Sequence, residues 1–155
     1  MIIICMVLQN EIRIMKNKCF VDTVFWIALL NADDELHQEV DIKYKQMMKS
    51  GIRFITSTSV LNEVANFLCN PKFRIAVVGF YKKLQSSHRI EIVFVDEELW
   101  SSGWKLYEER PDKAWSLTDC ISMKIMKNCD LVDVLTNDTH FVQASFNVLL
   151  KKKKL

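Results

Sequence analysis

Four carboxylates carry the chemistry this sequence can do. Asp22 closes a short apolar run. Glu63 follows the polar triplet Thr56, Ser57 and Thr58. Asp119 stands three residues after Ser116 in SLTD, and Asp138 follows Asn137 behind the apolar run that begins at Leu131. Acids about 4 Å apart repel by roughly 1 kcal/mol in water and by about 4 kcal/mol at an effective dielectric near 20. Several together raise one another's pKa values or need a cation. No histidine or thiolate stands among the four as read from the chain, so the donor set is hard oxygen, which selects Mg²⁺ or Mn²⁺ over zinc. Such an ion keeps waters and accepts phosphate oxygens. It can deliver a hydroxide in line to a phosphodiester and stabilise the leaving oxygen. The residues alone point to metal-assisted phosphodiester hydrolysis.

Alternating strands and helices must bring these acids together. Residues 18–22 read as a buried strand and 23–31 as an apolar helix. Residues 35–50 repeat Leu36, Val40, Tyr44 and Met47 at helical spacing, with Asp33 or Asp34 to cap the start and Gly51 the end. A second strand is expected over 52–56, then a helix over 59–70 that stops before Pro71. That proline opens a further helix with Phe73, Val77, Phe80 and Leu84 on one face. Residues 90–95 read as a third strand. Asp96 caps a helix through Leu99, Trp100, Trp104 and Tyr107, which ends before Pro111. Ser116 begins a capping pattern and a helix to 127. Residues 131–136 form a fourth strand, 140–145 a short helix and 147–150 a final strand. Hairpin turns are not signalled anywhere. The pattern predicts an α/β fold, a three-layer α/β/α sandwich with a central parallel sheet. Ligands of such sheets bind beyond the carboxyl ends of the strands, and there the four acids fall.

Each acid also has an ordinary structural explanation. Asp22 can cap the helix that follows it, Glu63 and Asp119 can oppose a helix dipole, and Asp138 can serve a turn. Any one explanation suffices for its own residue. Four such coincidences at one sheet edge are harder to credit than one site.

The composition excludes several other classes. At 155 residues the chain is one domain's worth. Its three glycines, Gly51, Gly79 and Gly103, lie far apart, so neither a P-loop nor a dinucleotide-binding turn is present. His37, His88 and His140 lack zinc-protease spacing, and no GxSxG elbow occurs. The net charge of +2 hides an asymmetry: without Lys151 to Lys154 the body is slightly acidic. Five cysteines without a CxxC read as reduced, buried thiols of a cytoplasmic protein, with Cys19, Cys69 and Cys120 in apolar segments. The opening MIIICMVL lacks the flanks of a signal peptide and the length of a membrane span. Residues 1–14 read as an extension outside the domain, because Met15 opens MKNKCFVD like a natural start. Residues 15–150 form the single domain, and 151–155 a basic tail.

FVDTVFWIALLN with Asp22, ITSTSVLNEVANFL with Glu63, WSLTDCISMKIM with Asp119 and LTNDTHFVQASF with Asp138 resemble the four acidic motifs of PIN-domain ribonucleases, the VapC-like toxins of toxin–antitoxin modules in particular. The resemblance covers residues 16–150. It implies an acidic pocket holding one or two Mg²⁺ or Mn²⁺ ions and an endoribonuclease that hydrolyses RNA. Asp22, Glu63 and Asp119 would be the core ligands, Asp138 would complete the pocket, and Thr23, Thr118 and Asn137 would be supporting donors. It also implies a homodimer and a small antitoxin partner. Alternatives are an RNA-processing nuclease of this fold without an antitoxin, or a silent module that binds RNA or protein. One departure stands out: Ser145 follows Ala144 where the family often has glycine.

Other residues read more plainly. His37 and His140 are expected to pack or make hydrogen bonds. Trp100 and Trp104, with Phe73, Val77 and Phe80, are expected mostly in the core, some of them forming a patch for a partner. Arg74, Lys82, Lys83, Arg89 and the tail lysines are candidate RNA-backbone contacts, though scattered charges of this kind are usually only solvated.

Overall fold

In a computed structural model, which describes residues 17–150, the chain forms five strands and seven α-helices in alternation. They run β1 (Lys18–Val21), α1 (Thr23–Leu30), α2 (His37–Lys49), β2 (Arg53–Ser57), α3 (Thr58–Phe67), α4 (Arg74–Ser86), β3 (Ile90–Val93), α5 (Glu97–Glu109), α6 (Leu117–Asn128), β4 (Asp133–Leu135), α7 (Thr139–Gln143) and β5 (Asn147–Val148). A 3₁₀ turn, Pro71–Phe73, precedes α4. The sheet order is β3-β2-β1-β4-β5 and every pairing is parallel. This is the expected α/β/α sandwich. The proposed extension at 1–14 and the tail at 151–155 lie outside the described residues.

Burial explains the order. The central strand β1 is interior from Cys19 to Val21, as are Phe54 and Ile55 of β2 and Val134 and Leu135 of β4. A parallel strand covered on both faces needs such a run of apolar side chains. The edge strands β3 and β5 are short and only partly buried, which limits unpaired edge. On one side α1 packs on α2, α3 and α4; on the other α5 packs on α6, and α6 on α7.

Helix ends follow their chemistry. Three helices close with one C-terminal motif: the first residue past the cap is left-handed, and the next donates back five residues. Gly51 (φ 81°), Asp130 (φ 51°) and Ser145 (φ 68°) occupy the left-handed position. Ile52 N–H donates to Met47 O, Leu131 N–H to Met126 O and Phe146 N–H to Phe141 O. Each motif turns the chain from a helix into the next strand. The sequence signalled only Gly51.

Other boundaries moved by a few residues. α2 begins at His37 because Asp34 accepts from Leu36 N–H at 2.9 Å and organises a turn first. α3 ends at Phe67, since Asn70 instead caps the 3₁₀ turn by accepting from Lys72 N–H. Two burial expectations held only in part. Trp100 and Trp104 are about half exposed, because α5 turns Leu99, Gly103 and Leu106 toward the core instead. Cys69, beyond the end of α3, is exposed, while Cys19 and Cys120 are buried. Burial raises the pKa of both interior thiols, that of Cys120 to about 11, so they are inert packing groups.

Candidate active site

The site is assembled where the sheet changes direction. Chain order runs outward from β1 through β2 to β3, then returns to place β4 on the other side of β1. Such a switch point opens a crevice at the carboxyl ends of the two diverging strands. Val21 of β1 pairs with Leu135 of β4. The next residue on each strand is therefore Asp22 beside Thr136. Both are buried, and Thr136 Oγ1 donates to Asp22 Oδ2 at 2.8 Å. Asp22 occupies the N-cap position of α1, yet its side chain makes no capping bond. The capping explanation therefore fails for this residue.

The other acids arrive from their helices. Ser57 caps α3 by accepting from Val60 N–H. Glu63, further along α3, accepts from Thr23 Oγ1 at 2.7 Å, which ties it to the first residue of α1. Asp119 completes a capping box on α6: Asp119 N–H donates to Ser116 Oγ, and Ser116 N–H donates to Asp119 Oδ2 at 2.8 Å. Here capping and site placement coexist, because the box fixes the carboxylate at the helix end that faces the crevice. Asp138 caps α7 by accepting from His140 N–H at 2.8 Å. Its own N–H donates to Thr136 Oγ1 at 3.1 Å, so Thr136 links Asp22 to the Asp138 turn. α3 also packs against α6, bringing the helices of Glu63 and Asp119 together.

His140 joins the acids, contrary to the all-oxygen reading of the sequence. Its Nδ1 lies 3.2 Å from Asp119 Oδ2 and 3.4 Å from Asp138 Oδ2. Asp119, Asp138 and His140 each offer a donor atom, and the three atoms lie within 4.8 Å of one another. The cause is local: Asp138 at the N-cap and His140 in the first turn of α7 present their side chains at the same helix end. The Asp-Thr-His spacing was the available signal. Thr136 was missed as well, being read as the last residue of a strand. Among the expected supporting donors, Thr23 holds Glu63. Thr118 and Asn137 make no side-chain hydrogen bond to the four acids among the described residues.

Electrostatics show what the cluster costs. Burial pushes the Asp22 carboxyl up to about 7, against lowering hydrogen bonds from Thr136 and Thr23, and the charges of Asp119 and Glu63 raise it further. The Asp119 pKa is also raised, first by burial and then by Asp138, while bonds from Ser116 and His140 oppose the shift. Two buried carboxylates disfavoured as anions and repelled by neighbouring acids are a donor set a cation would complete. Carboxylate oxygens suit Mg²⁺ and Mn²⁺, and the imidazole widens the choice toward transition ions. The residues present thus fit a divalent ion.

The chain is similar to known proteins over most of its length. The chain is 28% identical over 131 residues to VapC20 of Mycobacterium tuberculosis, a 23S rRNA-specific endonuclease, found in strains CDC 1551/Oshkosh and H37Rv. That alignment covers 82% of this chain and 94% of the relative. The crystal structure of M. tuberculosis VapC20, described as a sarcin-ricin loop cleaving toxin, superposes with a TM-score of 0.72 at 25% identity over 83% of this chain and 96% of that one. The model of the PIN domain family matches residues 19–147, a span that contains Asp22, Glu63, Asp119, Asp138 and His140, and the chain belongs to that family.

Proposed function

We propose that this protein is a metal-dependent endoribonuclease that hydrolyses RNA phosphodiester bonds, and that it serves as the toxin of a toxin–antitoxin pair. The observation that carries the chemistry is the convergence of Asp119, Asp138 and His140 within 4.8 Å, beside an Asp22 whose ionisation burial opposes. Asp22, Glu63, Asp119 and Asp138 would hold the ion, with His140 beside Asp119 and Asp138 and Thr23 as the supporting donor to Glu63. Mg²⁺ or Mn²⁺, one ion or two, fits the carboxylates, and Mn²⁺ tolerates His140 more readily. When bound, the ion supplies Lewis acidity toward a phosphate and lowers the pKa of water. The protein's part is orientation. Thr136 fixes Asp22, Thr23 fixes Glu63, and the capping box fixes Asp119.

The similarity to VapC20 supports RNA as substrate and an antitoxin as partner. An apolar groove of about 520 Å³ between α3 and α4, lined by Leu61, Ala65, Val77, Val78 and Tyr81, offers that partner a seat. A homodimer belongs to the same reading. Among the described residues no helix is long and apolar enough to cross a membrane, in keeping with a cytoplasmic site of action. A short open reading frame directly upstream, encoding the antitoxin, is expected.

The substrate experiment incubates the purified chain with ribosomal, transfer and messenger RNA in Mg²⁺ or Mn²⁺ and maps the cut ends. Cleavage of one RNA class at defined positions is expected. Intact RNA of all three classes, from folded and antitoxin-free protein, contradicts the proposal.

A further inference from the structure

A second feature flanks the acids and has no part in holding a metal. α5 carries Trp100, Trp104 and Tyr107 as an exposed ladder, with ring centroids 6.1 Å and 5.6 Å apart, edge to face. The last two line a cleft of about 620 Å³ with Arg110, Lys113 and Trp115. That volume suits a small organic group. Trp115 is the floor, nearly buried, with the Arg110 guanidinium 4.9 Å over its ring. Asp112 grips that guanidinium with two bonds of 2.8 Å, so the cationic plane is held in place.

The cleft is built into the site's own framework. Trp115 directly precedes Ser116, whose N–H holds the Asp119 carboxylate. Its Nε1 donates to Gln143 of α7 at 3.2 Å, and α7 also bears His140. Asp119 stands four positions after Trp115, at most ~14 Å away even when extended. At about 3.4 Å per stacked nucleotide, that is a reach of about four nucleotides.

We propose that the Trp104–Tyr107–Arg110–Trp115 cleft is a subsite for an unpaired nucleobase of the RNA that is cut at the acids. The inference rests on the nuclease reading. Unstacked RNA bases are taken up on aromatic faces and guanidinium planes, and this cleft joins both. Asp112 and Glu108 offset Arg110 and Lys113, so the cleft offers stacking rather than a concentration of positive charge for phosphate. An RNA strand held at the acids has the cleft within that reach, through the Trp115–Ser116 segment that positions Asp119.

The test measures binding of single-stranded oligouridylate and oligoadenylate to the full chain by fluorescence anisotropy, in EDTA to prevent cleavage. Trp104→Ala and Tyr107→Ala are each expected to weaken binding about tenfold or more, and Trp104→Phe to retain most of it. The alanine variants should also raise KM in the metal-supplemented cleavage assay. Both side chains are half exposed, and circular dichroism verifies that the variants are folded. Unchanged binding in both alanine variants overturns the subsite, as does a parent protein with no measurable affinity for either oligonucleotide. Lost self-association or lost binding to a co-expressed antitoxin, with RNA binding intact, also overturns it and assigns the ladder to protein contact. Failure of the nuclease reading looks different: no metal-dependent cleavage by the parent, with Trp104-dependent oligonucleotide binding still present.

Discussion

Asp22 is the residue on which the fold and the site compete most openly. Burial pushes its carboxyl up to about 7 in the folded chain, from an ordinary value of 3.8. Below pH 3.8 both folded and unfolded chains hold the proton, and the group costs nothing. As pH rises, the unfolded chain ionises first while the folded chain keeps its proton, so stability falls. Above about pH 7 the loss is complete, on the order of 4 kcal/mol at about 1.4 kcal/mol per pH unit. The metal-free protein should therefore melt at a lower temperature at pH 8 than at pH 5.5. Asp22→Asn should flatten that slope, and Mn²⁺ should recover the parent at pH 8. A parent profile without slope contradicts this account. Ser145 makes a smaller test. It holds a left-handed φ of 68° where the chain leaves α7, a conformation that costs a non-glycine residue roughly 1–2 kcal/mol. Ser145→Gly should raise stability by about 1 kcal/mol in urea unfolding; a destabilised variant would show that the hydroxyl contributes more than the strain removes. The departure from glycine was visible in the sequence, but the positive φ was not. His140 was equally visible, and its spacing from Asp138 was a signal, but its approach to Asp119 was not legible, because local spacing says nothing of a side chain brought in from α6.

Elements position these residues by close approach. Gly103 on α5 leaves room for Ile121 of α6: a Cβ at Gly103 would stand 2.4 Å from Ile121 Cγ1. The neighbour is a branched core side chain with nowhere to go. Gly103→Ala should cost about 1–3 kcal/mol and, by shifting α6, impair Asp119. The Gly103→Ala/Ile121→Ala pair should show less than additive loss in denaturant unfolding. Strict additivity would mean that the two helices do not meet as described. The alternation of strand and helix was legible because hydrophobic periodicity records it. Ser116 and Asp96 were legible as caps because their side chains act within one turn. Which side of α5 faces inward was not legible: Trp100, Trp104 and Tyr107 carry more apolar area than Gly103, yet the glycine is the buried one. Apolar size at Trp100, Trp104 and Tyr107 pointed the wrong way because the inward face is Leu99, Gly103 and Leu106, where close approach to α6 needs the glycine between the two leucines.

The whole molecule explains why four acids distant in sequence come near one another. The order β3-β2-β1-β4-β5 sets the ends of β1 and β4 side by side, and α6 delivers Asp119 to the same edge. That convergence could be reasoned from the sequence once a parallel sheet was assumed, since ligands gather at the carboxyl ends of its strands. The strand order itself is a long-range property, and no local pattern encodes it. The central claim is that this crevice is a metal-dependent ribonuclease site. The direct measurement is the RNA cleavage rate of the parent in Mg²⁺ or Mn²⁺, beside the parent in EDTA and Asp119→Asn in metal. Asn keeps an oxygen to accept from Ser116 N–H, so the variant should fold with a melting temperature within a few degrees of the parent. Cleavage by the parent alone, with at least a hundredfold loss in EDTA and in the variant, is the predicted result. Cleavage that persists in EDTA, or in a folded Asp119→Asn protein, would contradict it.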